Sequence, residues 1–390
     1  MRRPLLIIFL TLVVNLIGFG IIIPLLPLYA ESFGASPIVI GLLFATFSLS
    51  QLVASPALGA LSDRWGRRPV LILSLLGTAV SFAMLGLARS VPWLFAARLV
   101  DGLSGGNIST ARAYVADITT EDERAKAYGL IGAAFGIGFV LGPALSGVFA
   151  RVSYTAPIWL AAAITVVATA LAWAWLPETV HRGRANTGPF WAGLRGAFRR
   201  PPLRRLLVVD LIYWSAFAVF QGTFALFCAR RFGFDVPHTG YVLSAFGVLG
   251  VLVQVGLVGR VVGALGERRA FVLGLLLAAV GWGGAAVAHS VPLFLLLLVP
   301  AGVGGGLCMP SLASLISRRA GPEEQGSVQG AASALESLGR AIGPVWGNGL
   351  LQAAGEGVAF GSGALVLASL ALVVLGGSAA AQREGDRAAA

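Results

Sequence analysis

Charge, cysteine and histidine are scarce in this sequence. Only 12% of its 390 residues are charged, against about a quarter in soluble domains. The two cysteines, Cys228 and Cys308, exclude a disulfide scaffold and a cysteine-rich metal site. The three histidines, His181, His238 and His289, lie far apart and make no metal-ligand spacing. No nucleophile–base pair, metal cluster or phosphate loop stands out, so an enzyme has little support and no cofactor is implied. Apolar residues are what the chain has in plenty: 57% of the total, with a mean hydropathy of +0.85. That balance excludes a water-soluble globule, a disordered chain and a coiled coil.

A helix needs about 20 mostly apolar residues to cross a bilayer. Twelve stretches qualify. Six lie near 5–29, 39–61, 70–88, 91–116, 128–149 and 156–176, and six near 206–229, 240–262, 270–288, 291–316, 328–351 and 358–375. Membrane strands are shorter, about 10 residues, and alternate in polarity, so the expected fold is all-α and integral to the membrane. The first apolar run follows Met1-Arg2-Arg3 as in a signal peptide. It is too long for one and lacks a small-x-small cleavage site, and it reads as an uncleaved first span.

The net charge of +11 acquires a meaning once the basic residues are placed. With the N-terminus inside, 21 of the 28 Lys and Arg fall in cytoplasmic segments, and four (Arg89, Arg151, Arg230, Arg231) fall outside. Arg98, Arg112 and Arg340 remain within spans. This is the bias that orients membrane proteins, and it predicts that both termini are cytoplasmic. Basic residues spread over seven segments share no common face, which argues against nucleic acid.

The chain repeats itself at an offset of 200–201 residues. Ser90-Val91-Pro92 returns as Ser290-Val291-Pro292, and Gly138, Gly142 and Pro143 return as Gly339, Gly343 and Pro344. Gly59, Gly66 and Arg68 return as Gly259, Gly266 and Arg268. Six spans is an even number, so both copies sit the same way up. Parallel halves of this kind build transporters with a midplane site and alternating access. The expected organisation is an N-terminal six-helix bundle over 1–176, a cytoplasmic linker over 177–205, and a C-terminal six-helix bundle with a short cytoplasmic tail over 206–390.

Embedded charge present in one copy only is costly and needs a reason. Arg98 and Asp101 in span 4 share one helical face, while their counterparts are Leu298 and Ala301. They read either as a proton-responsive pair or as a neutralised structural pair. Glu336 and Arg340 in span 11 are spaced i, i+4 in the favourable order, with the same two readings. Asp210 lies about a turn inside span 7 and reads as an interfacial acid. Tyr213, Trp214, Phe217, Phe220, Gln221 and Phe224 make span 7 aromatic on several faces. Such a stripe is either lipid-facing or the apolar wall of a site for an amphipathic molecule. Asn15, Gln51, Asn107 and Gln254 are further mid-span polar residues, and Asn15 and Gln221 are the first candidates to line a cavity. Gly138, Gly142 and Gly147 are read as lying on nearly one face of span 5, with Pro143 allowing a kink, as a close seam between the halves.

Several of these elements resemble the major facilitator superfamily. The loop Gly59-Ala60-Leu61-Ser62-Asp63-Arg64-Trp65-Gly66-Arg67-Arg68-Pro69 is similar to its signature loop between spans 2 and 3. Arg98-Leu-Val-Asp-Gly102 resembles its span 4 element, Gly138-x-x-x-Gly142-Pro143-x-x-x-Gly147 its antiporter motif, and Pro177-Glu178-Thr179 its close of span 6. Within the family the likeness is to drug/proton antiporters, above all tetracycline-efflux proteins. It is carried by Gly18 to Pro27, by Ala113 to Thr119 and by Tyr213 to Gly233.

The resemblance implies a monomeric bacterial cytoplasmic-membrane protein that exchanges protons for an amphipathic drug. A metabolite or sugar porter is the alternative within the family, and a non-transporting sensor the alternative outside it. It also implies that Asp63, Arg67 and Asp117 form a latch holding the outward-open state, with Gly59, Arg64, Gly66 and Arg68 shaping its loop. A static brace is the competing reading. Gly263 and Glu267 occupy the equivalent positions in the second copy, so the latch is expected to be one-sided. Asn15 stands where such transporters often carry an acid, so a coupling proton needs another group.

Overall fold

The computed structural model describes residues 3–105, 107–119, 121–179, 190–321 and 324–389. Among them every regular element is helical. The first copy comprises α1 (Arg3–Glu31), α2 (Pro37–Trp65), α3 (Arg67–Gly86), α4 (Val91–Ser104), α5 (Asn107–Ile118), α6 (Glu121–Ala150) and α7 (Ala156–Trp175). A linker helix, α8 (Phe190–Arg199), follows. The second copy comprises α9 (Pro201–Phe232), α10 (Val236–Gly256), α11 (Val258–Val287), α12 (Val291–Ser317), α13 (Gln325–Ala354) and α14 (Glu356–Ala389). Helices suit such a sequence because each backbone N–H and C=O finds its partner within the segment, as a hydrocarbon surrounding demands.

Ten described helices are long and apolar enough to cross a membrane, so the all-α membrane fold stands. The other two expected crossings differ in form. Span 4 is broken into α4 and α5 after Ser104. The Gln51 amide donates to the Gly105 carbonyl at 3.1 Å, at the break. Span 11 lies in α13, whose Glu336 and Arg340 dilute its apolar character.

Helix starts follow their sequences. Pro37, Pro92, Pro157 and Pro292 sit in first turns, where a missing N–H costs nothing. Gly66 ends α2 at φ +110°, and its counterpart Gly266 interrupts α11 at φ +76°. The same turn therefore recurs in both copies.

The helices form two compact units. Unit 1 holds residues 1–190 and 221–247, and unit 2 holds 191–220 and 248–390. In unit 1, α1 packs on α6 and α7, α3 on α7 and α4, and α2 on α4. In unit 2, α11 packs on α12 and α14, and α14 on α13. In unit 1, α1 and α6 approach closely: a Cβ on Gly142 would stand 2.6 Å from the Gly20 Cα. Unit 2 repeats this, since a Cβ on Gly339 would stand 2.8 Å from Trp214 of α9. Large apolar side chains such as Leu73, Val80, Val166, Leu365 and Leu372 remain exposed, as a lipid-facing surface requires.

Candidate functional site

The chain turns from α2 into α3 through a dense polar knot. Arg67 opens α3 one turn beyond Asp63, and its guanidinium bonds the Asp63 carboxylate. It also donates to Asp117 of α5 at 3.1 Å and to the Ser62 hydroxyl at 2.7 Å. One guanidinium thus fastens the end of α2 to the end of α5. Thr179 adds a bond to the same Asp117 oxygen at 3.2 Å. All of these partners belong to unit 1.

Glu178 is the residue that sequence reasoning left out of this knot. Its carboxylate accepts from the backbone N–H groups of Arg67 at 2.9 Å and Arg68 at 3.2 Å. A helix N-terminus offers such N–H groups together with the positive end of its dipole. A Cβ on Gly66 would stand 2.7 Å from the Glu178 Cδ, so glycine is required both by space and by its positive φ. Arg68 turns the other way and donates to the Trp173 carbonyl at the end of α7. Tyr114 of α5 donates to the Pro177 carbonyl at 2.9 Å. Gly59, by contrast, has open space where a Cβ would sit.

The second copy, where Glu267 stands at the position of Arg67, carries an ion pair of reversed polarity at the equivalent turn. Glu267 pairs with Arg318 at 2.5 Å. At the repeat offset these are the counterparts of Arg67 and Asp117, with cation and anion exchanged. Arg268 donates to the Val374 carbonyl of α14, as Arg68 does to Trp173.

Arg98 and Asp101 form a buried ion pair at 2.6 Å, with Arg98 only 2% exposed. The guanidinium lies over the Phe47 ring at 5.2 Å, and Thr78 hydrogen-bonds the Asp101 carboxylate. The pair is therefore held by α2 and α3 as well as by its own helix. The Arg98 Nε is enclosed and has no partner among the described residues.

Asp210, read from its place in the sequence as an interfacial acid, is enclosed by protein at 3% exposed, on a helix that begins at Pro201. Glu336 and Arg340 of α13 are the charges that act on it. Arg340 lies over Trp214 at 5.2 Å, matching Arg98 over Phe47. Unit 2 thus has its own embedded cluster of two acids and an arginine.

The three glycines of the antiporter-like motif do not share a face. Gly138 and Gly142 meet Leu16, Ile17 and Gly20 of α1, whereas Gly147 meets Pro237 and Tyr241 of α10. The five residues from Gly142 to Gly147 rotate a helix by roughly 140°. Pro143 and Gly147 pack against Gly240, and Ser244 donates to the Val140 carbonyl at 2.8 Å. The same unit holds an ion pair at 3.2 Å between Glu31, closing α1, and Arg230 near the end of α9.

Of the expected cavity residues, Tyr213 and Phe217 stack at 6.1 Å, with Trp214 edge-on to both. Tyr213 is buried, and its hydroxyl has no partner among the described residues. Asn15, Gln51 and Gln221 fall in unit 1, so only the aromatic part is gathered in one unit. Gln51 is committed to the α4–α5 break. The side chain of Asn107 lies outside the described residues.

The Major Facilitator Superfamily model matches residues 8–344 and, in a second match, 223–388. The tetracycline resistance protein, class C, of Escherichia coli is 33% identical over 350 residues, 86% of each chain. Multidrug resistance protein 1 of Bacillus subtilis is 31% identical over 345 residues, 87% of this chain and 88% of that one. Among solved structures, the human organic anion transporter is 27% identical with a TM-score of 0.74, covering 96% of this chain and 99% of its own.

Proposed function

Because this chain belongs to the major facilitator superfamily, we propose that it exports amphipathic drugs, tetracycline-like or broader, in exchange for protons by alternating access. The buried Arg98–Asp101 pair is the observation that carries the coupling. A titratable acid held beside a fixed cation changes the net charge of its cluster from 0 to +1 when it binds a proton. In a low-dielectric surrounding that step biases two nearly balanced states. Asn15 supplies no acid in span 1, which puts the proton on Asp101 first and on the Asp210–Glu336–Arg340 cluster second.

The remaining assignments follow from this reading. The Asp63–Arg67–Asp117 knot is the cytoplasmic latch, and the contacts of Gly147 and Glu31 are the outer seam. The aromatic wall of Tyr213 and Phe217 serves the substrate, with Gln221 and Asn15 as its polar complement. The six-helix halves 1–176 and 206–390 are the rocking bodies, and 177–205 joins them. Both termini face the cytoplasm of a bacterial cell, and the monomer is the working form.

The names of the relatives support a drug as cargo, and the thin mid-span polar supply disfavours a sugar, which needs many hydroxyl partners. The test is accumulation of tetracycline and of a cationic dye in inverted vesicles acidified inside. Uptake that collapses with the pH gradient supports the reading. Sugar uptake, or drug uptake indifferent to the gradient, overturns it.

A further inference from the structure

Beside the α2–α3 turn lies a groove of about 490 Å³ that the transport reading leaves unused. Its lining includes Arg64, Trp65, Arg68, Ile72, Trp173 and Glu178. The Glu178 charge is already offset by the N–H groups of α3. Among the described residues no carboxylate forms an ion pair with Arg64 or Arg68, and the enclosed Arg68 Nε has no acceptor. The groove therefore carries positive charge in search of an anion. Guanidinium groups take phosphate oxygens in paired, charge-assisted bonds.

The rim specifies what kind of anion. Trp65 and Trp173 are 68% and 66% exposed, and Trp175 closes α7 beside them at 65%. Tryptophans in such positions gather at the level of lipid headgroups. Below them α3 and α7, which pack together, expose Leu73, Leu76, Val166 and Val167. Guanidinium groups, exposed indoles and apolar helix faces thus occur together at the ends of three spans.

The second copy separates this feature from the scaffold. There Arg268 bonds the Val374 carbonyl just as Arg68 bonds Trp173, so that bond is common to both turns. Arg64, Trp65 and Trp173 have become Ala264, Leu265 and Val374. The cation and both indoles are additions peculiar to the first copy, where the basic pocket they complete resembles those that hold anionic lipid heads between membrane helices.

We propose that this groove binds an anionic phospholipid, with its phosphate on Arg64 and Arg68 and its acyl chains along α3 and α7. The assignment of the site to the cytoplasmic leaflet rests on the topology proposed above. The binding itself does not.

The test is native mass spectrometry of the purified protein titrated with phosphatidylglycerol, phosphatidylcholine and soluble glycerol 1-phosphate. Arg64→Gln and Trp65→Ala are compared with Arg89→Gln, which lies at another loop. The expected result is preferential retention of phosphatidylglycerol, weakened about fivefold by Arg64→Gln, the weight of one surface arginine. Trp65→Ala weakens it too, Arg89→Gln leaves it unchanged, and glycerol 1-phosphate does not compete. Equal retention of the two lipids, undiminished binding in Arg64→Gln, or full competition by glycerol 1-phosphate would each overturn the proposal. Lipid retention is read without transport, so its failure leaves the export reading standing, and the reverse also holds.

Discussion

Glu267 and Arg318 form the charge-reversed image of Arg67 and Asp117. Each pair joins the residue that follows the Gly66 or Gly266 turn to the end of span 4 or its counterpart, span 10. A swapped pair preserves the attraction and changes the field around it, so the two copies are fastened alike and present opposite charges at equivalent places. Arg318 is 70% exposed, and a pair so open to solvent contributes at most about 1 kcal/mol. Glu267→Arg should therefore lower thermal stability only slightly but slow transport, and adding Arg318→Glu should restore both. A double variant no better than the single in stability and transport assays would show that the pair does not act as a unit.

The two glycines on either side of Asp63, Gly59 and Gly66, should behave differently. Gly66→Ala strains a positive φ and drives a methyl into Glu178. It should lose the α3 cap and most transport. Gly59 sits inside α2 with open space around it, so Gly59→Ala should be neutral or stabilising by up to about 1 kcal/mol from helix propensity. Melting curves and drug efflux of the two variants check this contrast.

Removing one member of the Arg98–Asp101 pair strands a buried charge. Asp101→Leu should cost about 3–5 kcal/mol, and Arg98→Leu with Asp101→Leu far less. Denaturation of the single and double variants in detergent measures the difference. A stable Asp101→Leu would mean that Arg98 finds solvent, which its 2% exposure opposes.

Arg200, between α8 and α9, makes a pH-dependent tie. Arg200 donates to both oxygens of Glu324, and those hydrogen bonds, ahead of its charge, hold the Glu324 carboxyl below the usual glutamate value of 4.5. A depressed acid contributes above its ordinary pKa and loses the contribution as pH falls through the lowered one. Hydrogen exchange across 190–199 should therefore stay constant from pH 8 to about 5 and quicken in more acidic solution. In Glu324→Gln it should be quick throughout.

Much of this architecture was legible because membrane helices announce themselves by length and apolarity, and because Ser90-Val91-Pro92 and Gly142-Pro143 recur in register. What escaped had physical reasons. Glu178 acts on backbone N–H groups, which have no letter in the sequence. The Glu267–Arg318 pair was hidden because matching copies residue by residue rewards identity, and a charge swap preserves energy while erasing identity. The enclosure of Asp210 escapes hydropathy because it depends on neighbouring helices, not on the residues around it in the chain. Gly147 was assigned to the wrong face because small residues at similar spacing look alike until their rotation is counted.

Drug-induced proton release from the purified protein tests the coupling most directly. Adding tetracycline to the wild-type chain in weakly buffered detergent should release protons as the loaded acid gives way to substrate. Asp101→Asn keeps an acceptor for Arg98 but has no proton to give. It should release none while still quenching tryptophan fluorescence on drug binding. Unchanged release from Asp101→Asn would contradict the assignment, and its loss in Glu336→Gln instead would move the coupling to the α9–α13 cluster.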